Sequence, residues 1–479
     1  MIEIRDFYID GRWQAPREGR PHQVIDPASG APFAEISLGG QADTDAAVAA
    51  AKAAFPLWAQ TPPATRVALM RALLARYEAR SEEMAQAISQ EMGAPITLAR
   101  EVQAPCLAEH LHDFLEAFSR ISFLEPLRQD TPGAMIAREP VGVVGLITPW
   151  NWPMNQIALK VVPALLAGCT IVLKPSEQAP LSARLFAEFL HEAGCPAGVF
   201  NLVNGDGQGV GTQLSTHPDV AMISFTGSTR AGRAISHAAA DTFKRVTLEL
   251  GGKGANLVFA DADDDAVARG VLQCFENTGQ SCNAPTRMLV EAQVYESAVA
   301  RAAEVAASVT VGRPSVEGPH LGPVVNATQW QHIQDLIQSG IDEGARLVTG
   351  GLGSPAGFDT GYYVRPTIFA DVTPAMRIAR EEIFGPVLVM IPFETEEEAL
   401  RIANDTPYGL TNYVQSADPA RCNRLARGLR SGMVEMNGQS RGAGAPFGGI
   451  GASGRAREGG VWGIEEFLDV KSISGWHMA

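Results

Sequence analysis

Val141-Gly142-Val143-Val144-Gly145-Leu146-Ile147 is an uncharged, continuous apolar run. A strand with one wet face alternates apolar and polar residues, whereas a strand covered on both faces does not. The run therefore reads as a buried strand of a parallel sheet. The chain that follows repeats one pattern: helix from about 155, strand Thr170–Lys174, helix 181–193, strand 199–203, helix 209–216 and strand 220–226. Regular strand–helix alternation is the mark of a doubly wound α/β sheet. Gly227-Ser228-Thr229-Arg230-Ala231-Gly232 then opens a helix directly after a strand.

A second series of the same texture begins near Gly252. It reads as strand 255–259, a helix before Cys282, strand 287–290, helix Tyr295–Ser308, helix 328–343, strand 363–369 and strand Val387–Phe393. The expected fold class is thus α/β with two doubly wound domains. At 479 residues the chain is too long for one ordinary core, which agrees.

Upstream, Tyr8-Ile9-Asp10-Gly11-Arg12-Trp13 reads as two short strands around an Asp-Gly turn, and Asp26-Pro27-Ala28-Ser29-Gly30 as a second turn. Helices are expected over 44–55, with Asp43 as N-cap, over 65–92 as one element stopped by Gly93, and over 98–118. Two extended runs flank Asp130-Thr131-Pro132-Gly133, too poor in apolar residues to stand alone, so this hairpin should lie against something else. The tail returns to strand texture over 467–473.

The formal charge of −15 argues against nucleic acid or an anionic membrane as the main partner. Six cysteines (106, 169, 195, 274, 282, 422) form no CxxC or Cys/His cluster, which suits free thiols in a reducing compartment and shows no metal site. The first residues carry acidic groups where a signal peptide would be apolar. The longest apolar run, 161–173, contains Pro163 and Gly168 and is too short for a bilayer. The expected location is the cytoplasm.

Chemistry concentrates in Glu276-Asn277-Thr278-Gly279-Gln280-Ser281-Cys282-Asn283-Ala284-Pro285-Thr286-Arg287. It sets one cysteine in a polar turn just after an apolar helical run, where a thiol is more reachable than in a core. About thirty residues upstream, Glu249-Leu250-Gly251-Gly252-Lys253 ends an apolar run with a carboxylate, and two glycines let backbone or ligand come close. A thiol and a carboxylate are the minimum for covalent catalysis followed by hydrolysis. Taken singly, a cysteine is more often a small buried hydrophobe and a strand-end glutamate a solvated charge.

These two stretches, with Pro149-Trp150-Asn151-Trp152-Pro153, Lys174-Pro175-Ser176-Glu177, Phe225-Thr226-Gly227-Ser228, Glu381-Glu382-Ile383-Phe384-Gly385-Pro386 and Pro446-Phe447-Gly448-Gly449, resemble the NAD(P)-dependent aldehyde dehydrogenases in order and spacing across nearly the whole chain. The resemblance implies an aldehyde-dehydrogenase-like fold. A cofactor domain would span 1–122 and 142–250, a catalytic domain 251–452, and a small β oligomerisation extension 123–141 and 453–479. Homodimers or homotetramers are implied, with a small aldehyde as substrate, NAD as cofactor and NADP as the weaker alternative.

By that resemblance Cys282 attacks the aldehyde, Asn151 and the Cys282 N–H hold the oxyanion, and Glu249 activates water against the thioester. Trp150, Gly227 and Ser228 would meet the pyrophosphate, Lys174 and Glu177 the adenosine ribose, and Glu382 the nicotinamide ribose beside Phe384. Trp152, Gln156, Asn283, Arg441 and Phe447 would line the aldehyde tunnel. Three features depart from the family's usual pattern. Trp152 stands where Phe or Tyr is frequent, Gly449-Ile450-Gly451 lacks a common Lys, and the loop 437–446 is about one residue short. Arg441 suits an aldehyde with a distal carboxylate or other acceptor, such as a semialdehyde; the alternative is that it turns to solvent or a subunit contact. Competing classes are a CoA-acylating relative, which Glu249 argues against, and a non-catalytic binding or structural protein on the same scaffold. A Cys–His hydrolase fares worse, since none of the nine histidines falls in these stretches.

Overall fold

The structure, a computed structural model, describes residues 1–131 and 133–477. The expected alternation forms two sheets. The first has eight strands in the order Gly454–Arg455, Arg245–Glu249, Met222–Thr226, Val143–Ile147, Thr170–Lys174, Phe200–Leu202, Phe7–Ile9 and Arg12–Gln14. Its five middle strands are parallel, and the flanking pairs are antiparallel. Alternation of side chains across the strands explains why 141–147 is apolar throughout. Val144 and Leu146 pack into one core with Ile171 and Leu173, while Val143 and Ile147 pack into the opposite one with Val172 and Ile223.

The second sheet runs Arg346–Thr349, Thr367–Ala370, Val387–Phe393, Arg287–Glu291, Ala255–Val258, Thr411–Gln415 and Met433–Met436, parallel but for its first pair. The hairpin strands Leu124–Pro126 and Met135–Pro140 do lie against something else: the C-terminal strand Leu468–Ile473 pairs antiparallel along the second of them. Within the turn expected at 130–133, Pro132 lies outside the described residues. Asp10 and Gly11, both left-handed, make the expected tight turn.

Several expected bounds are corrected. Asp43 is the third residue of the Gln41–Ala59 helix, not its cap; Gly40 precedes the helix, and the Asp43 carboxylate accepts the Gly40 N–H at 3.0 Å. The single helix 65–92 is two, Pro63–Ala79 and Ser81–Met92, bent at Arg80 where no Gly or Pro announces a break. Both halves still bury one face in the same core, through Tyr77 and Met84. The helix 98–118 contains a wide turn at Ala99–Gln103 just before Pro105, which has no N–H to give the ordinary helical bond. Strand 363–369 begins only at Thr367, after Pro366. The strands Thr411–Gln415 and Met433–Met436 come from stretches whose pattern singled out no strand.

Candidate active site

The first sheet's winding reverses once. From Val143–Ile147 the chain moves to Thr170–Lys174 on one side, then returns to lay Met222–Thr226 on the other. The carboxyl ends of those two neighbours open a crevice, the place where ligands of such sheets bind. Pro149-Trp150-Asn151 leaves one strand end and Gly227-Ser228 the other. Glu249 ends the next strand, and Gly251-Gly252 carries the chain to the amino edge of the second sheet. The Cys282 loop approaches that same amino edge, since it precedes Arg287–Glu291. The carboxyl edge of one sheet thus faces the amino edge of the other.

A cavity of about 280 Å³ lies there, and its walls include Trp150, Asn151, Gly227, Ser228, Cys282, Glu382 and Phe384. Those seven were expected at one site from separate stretches, and the fold brings them together. Ser228 caps the Thr229–Ala239 helix, its hydroxyl accepting the Ala231 N–H at 3.2 Å, so the helix N-terminus opens on the cavity. The buried Thr226 hydroxyl, in the same wall, has no partner among the described residues. The Trp150 and Phe384 rings meet edge to face at 5.6 Å. A helix N-terminus, an unpartnered hydroxyl, a carboxylate and two aromatic walls are the donor set that a dinucleotide needs, so the residues fit such a cofactor.

Lys174 and Glu177 sit at the adjoining strand end and do not line this cavity. The Lys174 ammonium donates to the Gly205 carbonyl at 2.5 Å and the Pro175 carbonyl at 2.9 Å, and lies 3.6 Å from the Glu177 carboxylate. Burial lowers its pKa, and Glu177 opposes that fall.

The Cys282 loop is shaped by three consecutive left-handed residues, Asn277, Thr278 and Gly279. Such a conformation costs a non-glycine residue about 1–2 kcal/mol, so it persists only where the surroundings enforce it. They do. The Asn277 amide donates to the Asn151 carbonyl at 2.9 Å and accepts from Gln103 at 2.9 Å, and the Thr278 hydroxyl donates to the Gly322 carbonyl at 3.1 Å. A β-carbon on Gly279 would stand 2.1 Å from the Gly385 carbonyl oxygen, so only glycine fits. The Asn151 amide donates one N–H to the Gln280 carbonyl at 2.9 Å, which ties it to the loop and leaves its second N–H for an oxyanion.

Two carboxylates frame the thiol differently. Glu382 accepts the Gly252 N–H at 2.8 Å, in space that a Gly251 side chain would fill, and burial pushes it up to about 7 against that bond. Glu249 is buried with neither oxygen hydrogen-bonded among the described residues. Burial first, then the Glu458 carboxylate, raise its pKa well above the usual range, while Lys160 and Arg457 oppose. Burial, followed by Glu382, Glu249 and Glu458, likewise holds Cys282 as the neutral thiol. Lys253, buried and without a partner among the described residues, is brought down to about 7 by burial and Arg287.

The expected tunnel residues divide. Arg441 and Phe447 line a second cavity of about 490 Å³ with His110, Asp113 and Glu458. The Arg441 side chain is exposed, stacks 4.7 Å from the Phe447 ring centre and reaches the Met433 sulfur at 3.4 Å. Trp152 donates its indole N–H to the Ser281 hydroxyl, and the Asn283 carbonyl accepts the Tyr413 hydroxyl. Gln156 is buried one helical turn beyond Trp152, with its amide oxygen unpartnered among the described residues.

Sequence reading missed the buried Lys160–Glu458 ion pair that sets the field at Glu249. Lys160 carried a signal: it is the single charge in the apolar helix Pro153–Ala167. Asn277 stands within the nucleophile stretch itself, but nothing local says that it holds Asn151. Among the described residues no cluster could hold a metal, and no helix is long and apolar enough to cross a membrane.

Comparison with known proteins agrees with this geometry. Residues 13–473 match the profile of the Aldehyde dehydrogenase family. The chain is 48% identical over 478 residues to a 3-succinoylsemialdehyde-pyridine dehydrogenase of Pseudomonas sp., covering 99% of each. The crystal structure of an aldehyde dehydrogenase from Bartonella henselae superposes with a TM-score of 0.98 at 59% identity, covering 99% of this chain and 100% of that one. A mutant of aldehyde dehydrogenase C from Pseudomonas syringae, complexed with NAD+ and octanal, superposes at 0.97 with 49% identity, covering 99% and 97%. This chain belongs to the aldehyde dehydrogenase family.

Proposed function

We propose that this chain oxidises a polar aldehyde to its carboxylic acid with NAD, using Cys282 as nucleophile, Asn151 as oxyanion donor and Glu249 as hydrolytic base. The observation that carries the reading is the common cavity of Cys282, Asn151, Glu382 and the Gly227-Ser228 helix start. When bound, a nicotinamide dinucleotide supplies the hydride acceptor. Trp150, Gly227, Ser228, Glu382 and Phe384 would hold it at the cavity, with Lys174 and Glu177 at the adenosine end.

The Cys282 sulfur bonds to the carbonyl carbon as its proton passes to water, and the resulting oxyanion is met by the free Asn151 N–H and the Cys282 N–H. Loss of hydride leaves a thioester on Cys282. Glu249 then takes a proton from water as the water oxygen attacks that carbon, and the C–S bond breaks to free the acid, Glu249 returning that proton to the sulfur. Its raised pKa makes it a stronger base than an ordinary carboxylate.

Glu177 supports NAD over NADP. A carboxylate bonds two ribose hydroxyls well but repels a 2′-phosphate, by about 1 kcal/mol at ~4 Å in water and several in a partly dry site. Arg441 and His110 in the 490 Å³ cavity support an aldehyde with a distal acceptor, as does the relative whose name is that of a semialdehyde dehydrogenase. The neighbour complexed with octanal supports an apolar chain instead. The flanking three-stranded sheet around Met135–Pro140 supports an oligomerisation extension, with cofactor and catalytic domains at 1–122 plus 142–250 and at 251–452; its Leu124–Pro126 and Leu468–Ile473 edges are open to a partner copy. The acidic composition and the six free thiols support a cytoplasmic location.

The test is NADH formation from an aldehyde without CoA, with identification of the acid. Cys282→Ala should abolish it, and any other single cysteine substitution should not. Acyl-CoA formed only when CoA is added, with no acid in its absence, would favour the acyl-transferring alternative.

A further inference from the structure

Cys282 lies between two hydrogen bonds that come from opposite sheets. On its amino side the Trp152 indole N–H donates to the Ser281 hydroxyl at 2.8 Å. Trp152 precedes the Pro153–Ala167 helix, in the region of the first sheet. On its carboxyl side the Tyr413 hydroxyl donates to the Asn283 carbonyl at 2.7 Å. Tyr413 belongs to the Thr411–Gln415 strand of the second sheet.

Residues 281–283 form neither helix nor strand, so no ladder of backbone bonds fixes them. The Ala284 N–H to Ser281 carbonyl bond at 3.1 Å closes the local turn but ties it to nothing else. We infer that Trp152 and Tyr413 are positioning residues, whose heteroatoms hold the two neighbours of Cys282 and thereby set where its sulfur meets the aldehyde. Both bonds need the heteroatom and not only the ring. Phenylalanine at either place would keep an aromatic surface and lose the donor. The Trp152 N–H is already engaged by Ser281, so it is not a free donor to substrate. Misplacing a reacting atom by ~1 Å can cost about 10²-fold in rate, which is why an anchored loop matters.

This inference rests on Cys282 being the nucleophile. The experiment is a double-mutant cycle in the intact NAD-supplied enzyme: Trp152→Phe, Ser281→Ala and the pair, with Tyr413→Phe beside them. Acetaldehyde and octanal serve as substrates. Each single variant should lower kcat about 3–10-fold, the range of one neutral hydrogen bond. KM and the acetaldehyde-to-octanal preference should hold within about twofold by the same reasoning, because the bond sets the sulfur and not the tunnel wall. Trp152→Phe in the Ser281→Ala background should cost nothing further, while Tyr413→Phe should add its own loss to either. Full additivity of Trp152→Phe and Ser281→Ala would overturn the inference, as would a change confined to KM or chain-length preference. Cys282→Ala retaining activity would overturn the underlying nucleophile assignment instead, so the two failures are distinguishable.

Discussion

The cavity at Cys282 and the cavity at Arg441 are built differently. The 280 Å³ cavity is walled by strand ends and the first turns that leave them, so its geometry is fixed by two buried parallel sheets. The 490 Å³ cavity is walled by the Pro105–Phe118 helix, residues 458–460 and the loop 441–447, which is tied down by the Gly444 N–H to the Asp113 carboxylate at 3.0 Å and by a paired backbone bridge from Phe447 to Glu458. The first is rigid where buried strand-end residues such as Thr226 and Leu250 wall it. The second also offers exposed positions, Arg441 to Ala443, that can change at small cost to the fold. On the proposed function, shared chemistry belongs on the first side and selectivity for the aldehyde on the second.

The largest expected effect belongs to the shared side. Glu249→Gln should lower steady-state turnover by about 10²–10⁴-fold, the span of general-base catalysis. Rapid mixing should still show a burst of about one NADH per active site, because the acyl-enzyme then accumulates. A normal steady-state rate would remove Glu249 as the base, and loss of the burst would give it an earlier role.

Asn151→Ala should cost about 10²–10³-fold in kcat, as for one oxyanion donor. It also releases the Gln280 carbonyl, so a thermal melt must accompany the kinetics to show that the loop still folds.

On the variable side the expected effect is smaller. If Arg441 reads a distal carboxylate, Arg441→Ala should erase a preference of about 10-fold or more for a semialdehyde over a neutral aldehyde of equal length, as one charge-assisted bond of ~1.5–3 kcal/mol allows. Its rate with the neutral aldehyde should barely move. No loss of selectivity would leave Arg441 as an exposed cap on the Phe447 ring, which is how its stacking alone reads.

The smallest effect is a displacement along the pH axis. On the proposed mechanism Glu249 acts as a carboxylate, so deacylation should fade as pH falls through its raised pKa. Glu458 raises that pKa and Lys160 lowers it. Glu458→Gln removes the like charge and leaves the Lys160 ammonium unpaired nearby. Both changes lower the Glu249 pKa, so the acid limb of kcat against pH should move to lower pH. A limb that stays put or moves up would show that Glu458 does not set the field at Glu249. Breaking this buried pair should also destabilise the protein by about 3–5 kcal/mol, visible in a melt.

What the sequence determined by itself is whatever depends on local pattern. Charge-free runs such as 141–147 announce strands buried on both faces, and turn chemistry such as Asp10-Gly11 announces a reversal. The order of strand and helix announces the sheet class, and the stretches around Asn151, Glu249, Cys282 and Glu382 announce the chemistry. The break at Arg80 and the place of Asp43 inside its helix were not legible, because packing and a side-chain bond chose among conformations that the local residues allow equally. Only the tertiary structure decided which edges meet. Cys282 and Glu382 lie a hundred residues apart, and Glu458 comes from the far end of the chain to stand with Lys160 beside Glu249. The left-handed turn at Asn277 and Thr278 is likewise a tertiary choice: Asn277 tolerates that conformation but the β-branched Thr278 resists it, and it holds because Gln103, Asn151, Gly322 and Gly385 are already in place around it.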